Sequence, residues 1–209
     1  MAAPRPLHRM STVDALAEAL RHDILDGALT PGARLIEREL CATYGVARHT
    51  LRAALRALSA EGLVTIEPHR GAHVAELTKD DVRWLYELRT ALEVEAARLA
   101  LERNGGRLPQ SVHDALRRLR ETCRGQAWGP INDAHAHLHH AIVAAARSPR
   151  IEAAHNALTG EMRLFLLALR PHIPAAQLAD DHAVLVHGLE AAGTDVLREH
   201  LREAAERLT

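Results

Sequence analysis

Cysteine is scarce in this sequence: Cys41 and Cys123 are its only two. Two isolated thiols cannot build a disulfide framework or a four-thiolate zinc site, so both read as small apolar residues destined for the interior. Long apolar runs are missing as well. No segment offers about eighteen uninterrupted apolar residues, which excludes a membrane-spanning helix. The first 20 positions hold no run fit for a signal peptide, so the sequence predicts a cytoplasmic, soluble protein. Net charge is nearly absent at -1. The overall basicity that usually marks a nucleic-acid binder is therefore lacking, and any such binding must come from a local patch. Neither a Gly-rich phosphate loop nor a paired nucleophile and base stands out, which argues against an enzyme.

What is present is ample apolar material, 47% of 209 residues, enough for one large or two small domains with real cores. Residues 1–10, with Pro4 and Pro6, read as a disordered N-terminal arm. Val13, Leu16, Leu20 and Ile24 then repeat at helical spacing after a Ser11 or Thr12 cap, and Gly27 with Pro31-Gly32 ends that helix. "ERELCATYG" and "ARHTLRAALRALSAEG" give two further short helices, closed by Gly45 and Gly62. A tight turn at Gly45 between two short helices is a helix-turn-helix signature. After Gly62 the period changes: "LVTIEP" alternates, "HRG" turns and "AHVAEL" extends again, which predicts a β-hairpin, or wing. From residue 80 onward every segment follows the helical period: 80–104, 109–124, 130–146, 149–170, 175–191 and 194–208, punctuated by Gly and Pro. The expected fold is mainly α. A winged helix-turn-helix over 11–76 leads through a linker at 77–79 into an all-α antiparallel bundle over 80–209.

The third helix has two faces. Leu51, Ala54, Leu55 and Leu58 form an apolar arc, while Arg48, His49, Arg52 and Arg56 form another. Arg48 and His49 stand at its start, where the second helix of a helix-turn-helix meets base edges, and Arg52 lies one turn on. Arginine suits this task because its planar fork can read guanine or grip a phosphate. A solvated basic face is the bland alternative. Against it, Arg38 on the preceding helix and His69-Arg70-Gly71 at the hairpin tip give three elements able to reach one duplex. Gly71 would supply the positive φ a wing needs and let its backbone approach the minor groove.

"NDAHAHLHHAIVAAARSP" crowds four histidines onto one helix. His135 and His139 border its apolar face one turn apart, a spacing that lets two imidazoles share a metal. Asp133, His137 and His140 fall on the opposite, solvated side. His182 and His200 share the inward placement on two other helices. Histidines from three helices are more than packing requires, and imidazole suits zinc, nickel, iron or copper. Core-edge histidines bonded to carbonyls remain the alternative. Arg89 lies on the edge of an apolar arc, where a permanent charge is costly unless it is paired or meets an anion, and Glu93 one turn on can neutralise it.

The stretch "LTPGARLIERELCATYGVARHTLRAALRALSAEGLVTIEPHRGAHV" resembles the winged helix-turn-helix of the GntR family of bacterial transcriptional regulators. The resemblance implies DNA contacts from Arg38, Arg48, Thr50 and Arg52, and from the wing residues His69, Arg70 and Gly71. "LYELRTALEVEAARLAL", "LHHAIVAAARSPRIEAA" and "DDHAVLVHGLEAA" resemble the FCD ligand-binding domain of the FadR subfamily. That resemblance implies a divalent metal held by an Asp, the His four residues later and two further His. Here His135 stands at the Asp position, followed by His139, His182 and, one helical turn out of place, His200. It also implies that Arg89, with Glu93 beside it, meets the carboxylate of a small effector. The function expected is a homodimeric DNA-binding regulator, a repressor, that grips a double-stranded operator and responds to a small organic acid with a divalent metal such as zinc or nickel. Two alternatives are the same regulator without metal or effector, and a helical metalloenzyme whose His cluster holds a hydrolytic metal.

Overall fold

The Ser11 hydroxyl accepts the Asp14 amide at 3.1 Å, and the Asp14 carboxylate takes the Ser11 amide at 3.2 Å. This reciprocal cap satisfies donors that a helix start would otherwise orphan. The computed structural model describes residues 11–125 and 127–209, so the arm expected over 1–10 lies outside the described residues. Helix α1 spans Thr12–Leu25, strand β1 spans Arg34–Leu35, and helices α2 and α3 span Glu37–Tyr44 and Arg48–Ala60. Gly45, at φ 64°, takes the left-handed conformation that turns the chain from α2 into α3, a region glycine enters without steric cost. The apolar arc of α3 packs against Leu16, Leu20 and Ile24 of α1.

Strands β2, Val64–Glu67, and β3, Gly71–Val74, make the expected hairpin. The sheet has a third strand that the sequence reading lacks. β1 joins the other edge of β3, with Arg34 opposite His73, in the antiparallel order β1-β3-β2. A two-residue strand is too short to show an alternating pattern.

Thr78 caps the long helix α4, Lys79–Arg103, through the same reciprocal bond with Asp81. Then come α5, Gln110–Thr122; α6, Trp128–Ala144; α7, Pro149–Asn156; α8, Thr159–Leu169; a 3-10 turn over Arg170–His172; α9, Ala175–Ala192; and α10, Asp195–Glu206. The single helix expected over 149–170 is two, because the chain bends at Ala157-Leu158, with no proline there and only Gly160, two residues on, as a local signal. A core of leucine, isoleucine, valine and alanine side chains runs through the bundle. Among the described residues, no helix is long and apolar enough to cross a membrane.

The two domains are packed into one another. Leu164 of α8 is 2% exposed and belongs to the core of the winged domain. Gly160, one turn earlier, lies so close to the C-cap of α3 that a Cβ there would stand 1.4 Å from the Glu61 carbonyl oxygen. Within the winged domain, Arg21 of α1 holds that same C-cap with a two-point bond to the Glu61 carboxylate at 2.8 and 2.7 Å.

Candidate functional site

On the winged domain, Arg48 and His49 are exposed at the start of α3, and Arg38 is exposed on α2. Arg52 is exposed but engaged: its Nε and Nη2 donate to the two carboxylate oxygens of Glu37 at 2.7 and 3.0 Å. The hydrogen bonds from Arg52, with its charge and that of Arg48, hold the Glu37 carboxyl below its usual range. Both basic side chains therefore share a face with the start of α2. Thr50, next along α3, is 9% exposed. At the wing, His69 adopts φ 64° and Gly71 φ 89°. Arg70 donates to Glu67 at 3.0 Å. Arg34 and His73, neither singled out in the sequence, line a groove with His69 and Arg70; β1 is what brings Arg34 there.

The helical domain encloses a cavity of about 480 Å³ with Arg89, His135, His139, His182 and His200 in its lining. A pocket of this size suits a small molecule. Three of its histidines, His135, His139 and His182, present ring nitrogens within 4.8 Å of one another. His200 stands beside them, 4.7 Å from the His182 ring by centroids, and outside that group of three.

Hydrogen bonds fix the state of two of these rings. His139 Nδ1 lies 2.8 Å from Glu93 Oε2, and His182 Nδ1 lies 2.7 Å from the Leu178 carbonyl. Both partners only accept, so each Nδ1 carries a proton and donates it. Each Nε2 is then a lone pair, and the two face each other at 3.2 Å. Arg89 Nη2, 3.3 Å from His139 Nδ1, is a contact rather than a hydrogen bond, since both atoms carry protons. Burial pushes the His135 and His182 rings well below the usual imidazole range, aided by the neighbouring histidines. Burial likewise lowers His139, against the pull of Glu93, and takes His200 down to about 3.

Two opposed lone pairs at this distance repel unless a cation lies between them. Two nitrogens bound at about 2.0–2.1 Å on neighbouring corners of a tetrahedron stand about 3.4 Å apart, so the arrangement fits a single first-row metal. The Glu93–His139 bond is the carboxylate–histidine support that metal sites use to orient a ligand ring. His135 completes the group, and its ring has no hydrogen-bond partner among the described residues. The residues present therefore fit a divalent metal.

Glu93 is fully buried at 0% exposure and does not line the cavity, so it sits behind the site rather than at an effector. Its Oε1 takes the Arg89 Nε at 2.7 Å and has His155 Nε2 at 3.4 Å. Burial works against the carboxylate, but Arg89, His139 and His155 overcome it and hold Glu93 well below its usual range. Arg89 also rests on the Tyr86 ring, 4.6 Å from its centroid, and Tyr86 meets Phe165 of α8. His155 and Tyr86 went unremarked in the sequence. The spacing of His155 gave no sign of it, because it belongs to a separate helix.

An arginine-bearing winged helix-turn-helix joined to a helical domain with a ligand-sized cavity defines a DNA-binding transcriptional regulator, not an enzyme. Residues 12–74 match the bacterial regulatory proteins of the gntR family, and residues 84–207 match the FCD domain. A relative in Paenarthrobacter nicotinovorans, named "Probable D-xylose utilization operon transcriptional repressor", is 30% identical over 95% of this chain and 87% of its own. The regulator BphR of Paraburkholderia xenovorans is 28% identical over 97% and 88%. Among solved structures, a GntR regulator from Rhodococcus sp. RHA1 superposes with a TM-score of 0.74 at 28% identity, covering 94% of this chain and 96% of its own. E. coli McbR/YncC shares the fold, with a TM-score of 0.69 at 24% identity and 95% of each chain covered. This chain belongs to the GntR family of transcriptional regulators and carries an FCD domain as its second half.

Proposed function

We propose that the protein is a homodimeric repressor whose hold on its operator is set by a small carboxylate effector, bound with a divalent metal in the FCD cavity. Arg48 and His49 read base edges in the major groove, Arg38 and Arg52 grip phosphates, and His69, Arg70 and Gly71 bring the wing to the adjacent groove. His135, His139 and His182 hold the metal, Glu93 orients His139, and Arg89 faces the carboxylate. When bound, the metal supplies a Lewis-acidic point of attachment for that carboxylate. Exposed Trp84 and Leu88, at 56% and 47% on one face of α4, support a second copy as partner, since apolar surface of this kind marks association sites. The effector acts by favouring one arrangement of the two winged domains, and by linkage it must bind free and DNA-bound dimer with different affinity. The named role of the Paenarthrobacter relative puts pentose-derived acids first among effectors to test.

The observation that carries the metal is the facing pair of Nε2 lone pairs on His139 and His182. Elemental analysis of protein purified without a His-tag tests it, with about one metal per chain expected. A gel shift with upstream DNA against random duplex tests the operator, and equal binding to both would remove the regulatory reading.

A further inference from the structure

The outer face of the wing sheet carries an arginine to which none of the DNA contacts above gives a task. Strand register fixes the arrangement. Arg34 of β1 stands opposite His73 of β3, and Thr65 of β2 stands opposite His73 on the other side. Leu35, Val64, Ala72 and Val74 take the buried face, so by alternation the three polar residues share the outward one. With neighbouring strands about 4.8 Å apart, the row spans about 10 Å. One DNA strand presents a phosphate about every 3.4 Å of helix axis, so a row of this length meets more than one.

Arg34 is also available. Arg52 is held by Glu37 and Arg70 by Glu67, whereas Arg34 is exposed and has no ion pair or side-chain hydrogen bond among the described residues. The groove it lines, about 620 Å³, reaches His69 and Arg70 at the tip. Two acids share that lining. Glu67 is matched by Arg70 at 3.0 Å, and Glu76 lies at the end away from the tip, against Gly32. Nearer the tip, the permanent charge of Arg34 is flanked by the Thr65 hydroxyl and by an N–H on each of His69 and His73, all able to donate.

We propose that this outer face is a phosphate cradle: Arg34, with Thr65 and His73 beside it, grips the DNA backbone bordering the groove that the wing tip enters. It rests on the DNA reading of the wing, with which the face is continuous. Contacts of this kind fix position on the duplex without reading sequence. The short strand β1 thereby serves binding directly, since its pairing with β3 is what carries Arg34 onto the sheet.

The test is fluorescence anisotropy of the full chain with two short duplexes, one A·T-rich and one G·C-rich, over a salt series. Arg34→Ala should weaken both alike and flatten the plot of log affinity against log salt by about 0.9 for each Arg34 in the complex. Arg34→Lys, which keeps the charge, should restore the slope. Arg70→Ala serves as the reference for the tip. A wild-type slope in Arg34→Ala, beside a flattened one in Arg70→Ala, overturns the cradle and leaves the tip reading standing. No flattening in either variant removes the wing from the interface, and the cradle with it. A loss confined to one base composition would make Arg34 a base reader and overturn its phosphate role. Thr65→Glu decides independently should Arg34→Ala fold poorly: a like charge in the row should cost roughly 10-fold or more in affinity at low salt, and unchanged binding overturns the proposal.

Discussion

Arg52 of α3 and Glu37 of α2 hold each other through two parallel hydrogen bonds, at 2.7 and 3.0 Å, on the face that carries Arg48. An arginine whose fork is filled by a carboxylate cannot also fork a phosphate. Contact with DNA must exchange one partner for the other. Glu37→Gln should raise operator affinity by roughly 2- to 5-fold, the scale of an exposed ion pair. Arg52→Ala should lower affinity and flatten its salt dependence by about one unit of slope. Fluorescence anisotropy over a salt series measures both, and an unchanged Glu37→Gln affinity would place Arg52 away from the duplex.

Metal uptake should separate His139 and His182 from His200. His139→Ala and His182→Ala are expected to abolish it, since the facing nitrogens belong to those rings. Glu93→Gln, which weakens the support of His139, should cost roughly 10- to 100-fold in metal affinity. His200→Ala leaves the group of three intact and should cost far less. Chelator competition reads all four, and loss of uptake in the His200 variant would make that residue a ligand.

Acid should destabilise the metal-free protein early. Burial depresses His135 and His182 far below the usual 6.5, and His139 below it as well. The unfolded chain takes up protons near pH 6.5 that these folded rings refuse. Stability is thus whole above about pH 7 and falls as pH drops through 6.5, by about 1.4 kcal/mol per pH unit for each ring kept neutral. Glu93, depressed in the same sense, adds to the loss only at lower pH, where the unfolded carboxylate protonates. Urea unfolding in EDTA at pH 7.5, 6.5 and 5.5 should show the slope, and a flat profile across that range would contradict the buried neutral rings.

Leu164→Ala should destabilise by about 2–5 kcal/mol, the usual cost of emptying a packed leucine site. The residue lies in the FCD domain but fills the winged core, so operator binding should fail at the same temperature as the FCD fold. Circular dichroism melts run beside anisotropy melts check the coincidence; a winged domain that keeps binding DNA after the bundle has melted would show the seam to be weak.

The parts of this molecule with a strong period were legible in the sequence. The arginine face of α3, the turn at Gly45 and the β2–β3 hairpin follow from apolar spacing and glycine placement, and so does the inward aim of His135, His139 and His182. The remainder depends on contacts between distant segments. β1 exists because β3 offers it an edge. The break between α7 and α8 has no proline to mark it. Thr50 is covered by its neighbours, and Arg52 is captured by a glutamate 15 positions away. His155 reaches Glu93 only because α7 packs on α4 and α6, which no single-helix pattern reveals.

The contact of Gly160 with the Glu61 carbonyl limits how this regulator can be recombined. Cutting the chain at 77–79 to obtain the DNA-reading half alone would strip Leu164 from its core and leave a leucine-sized hole lined by apolar side chains. Grafting that half onto a different effector lobe would fail for the same reason, unless the new lobe also offered a glycine and a leucine one turn apart at the seam. The halves match two separate families, yet they fit only as cut from one mould.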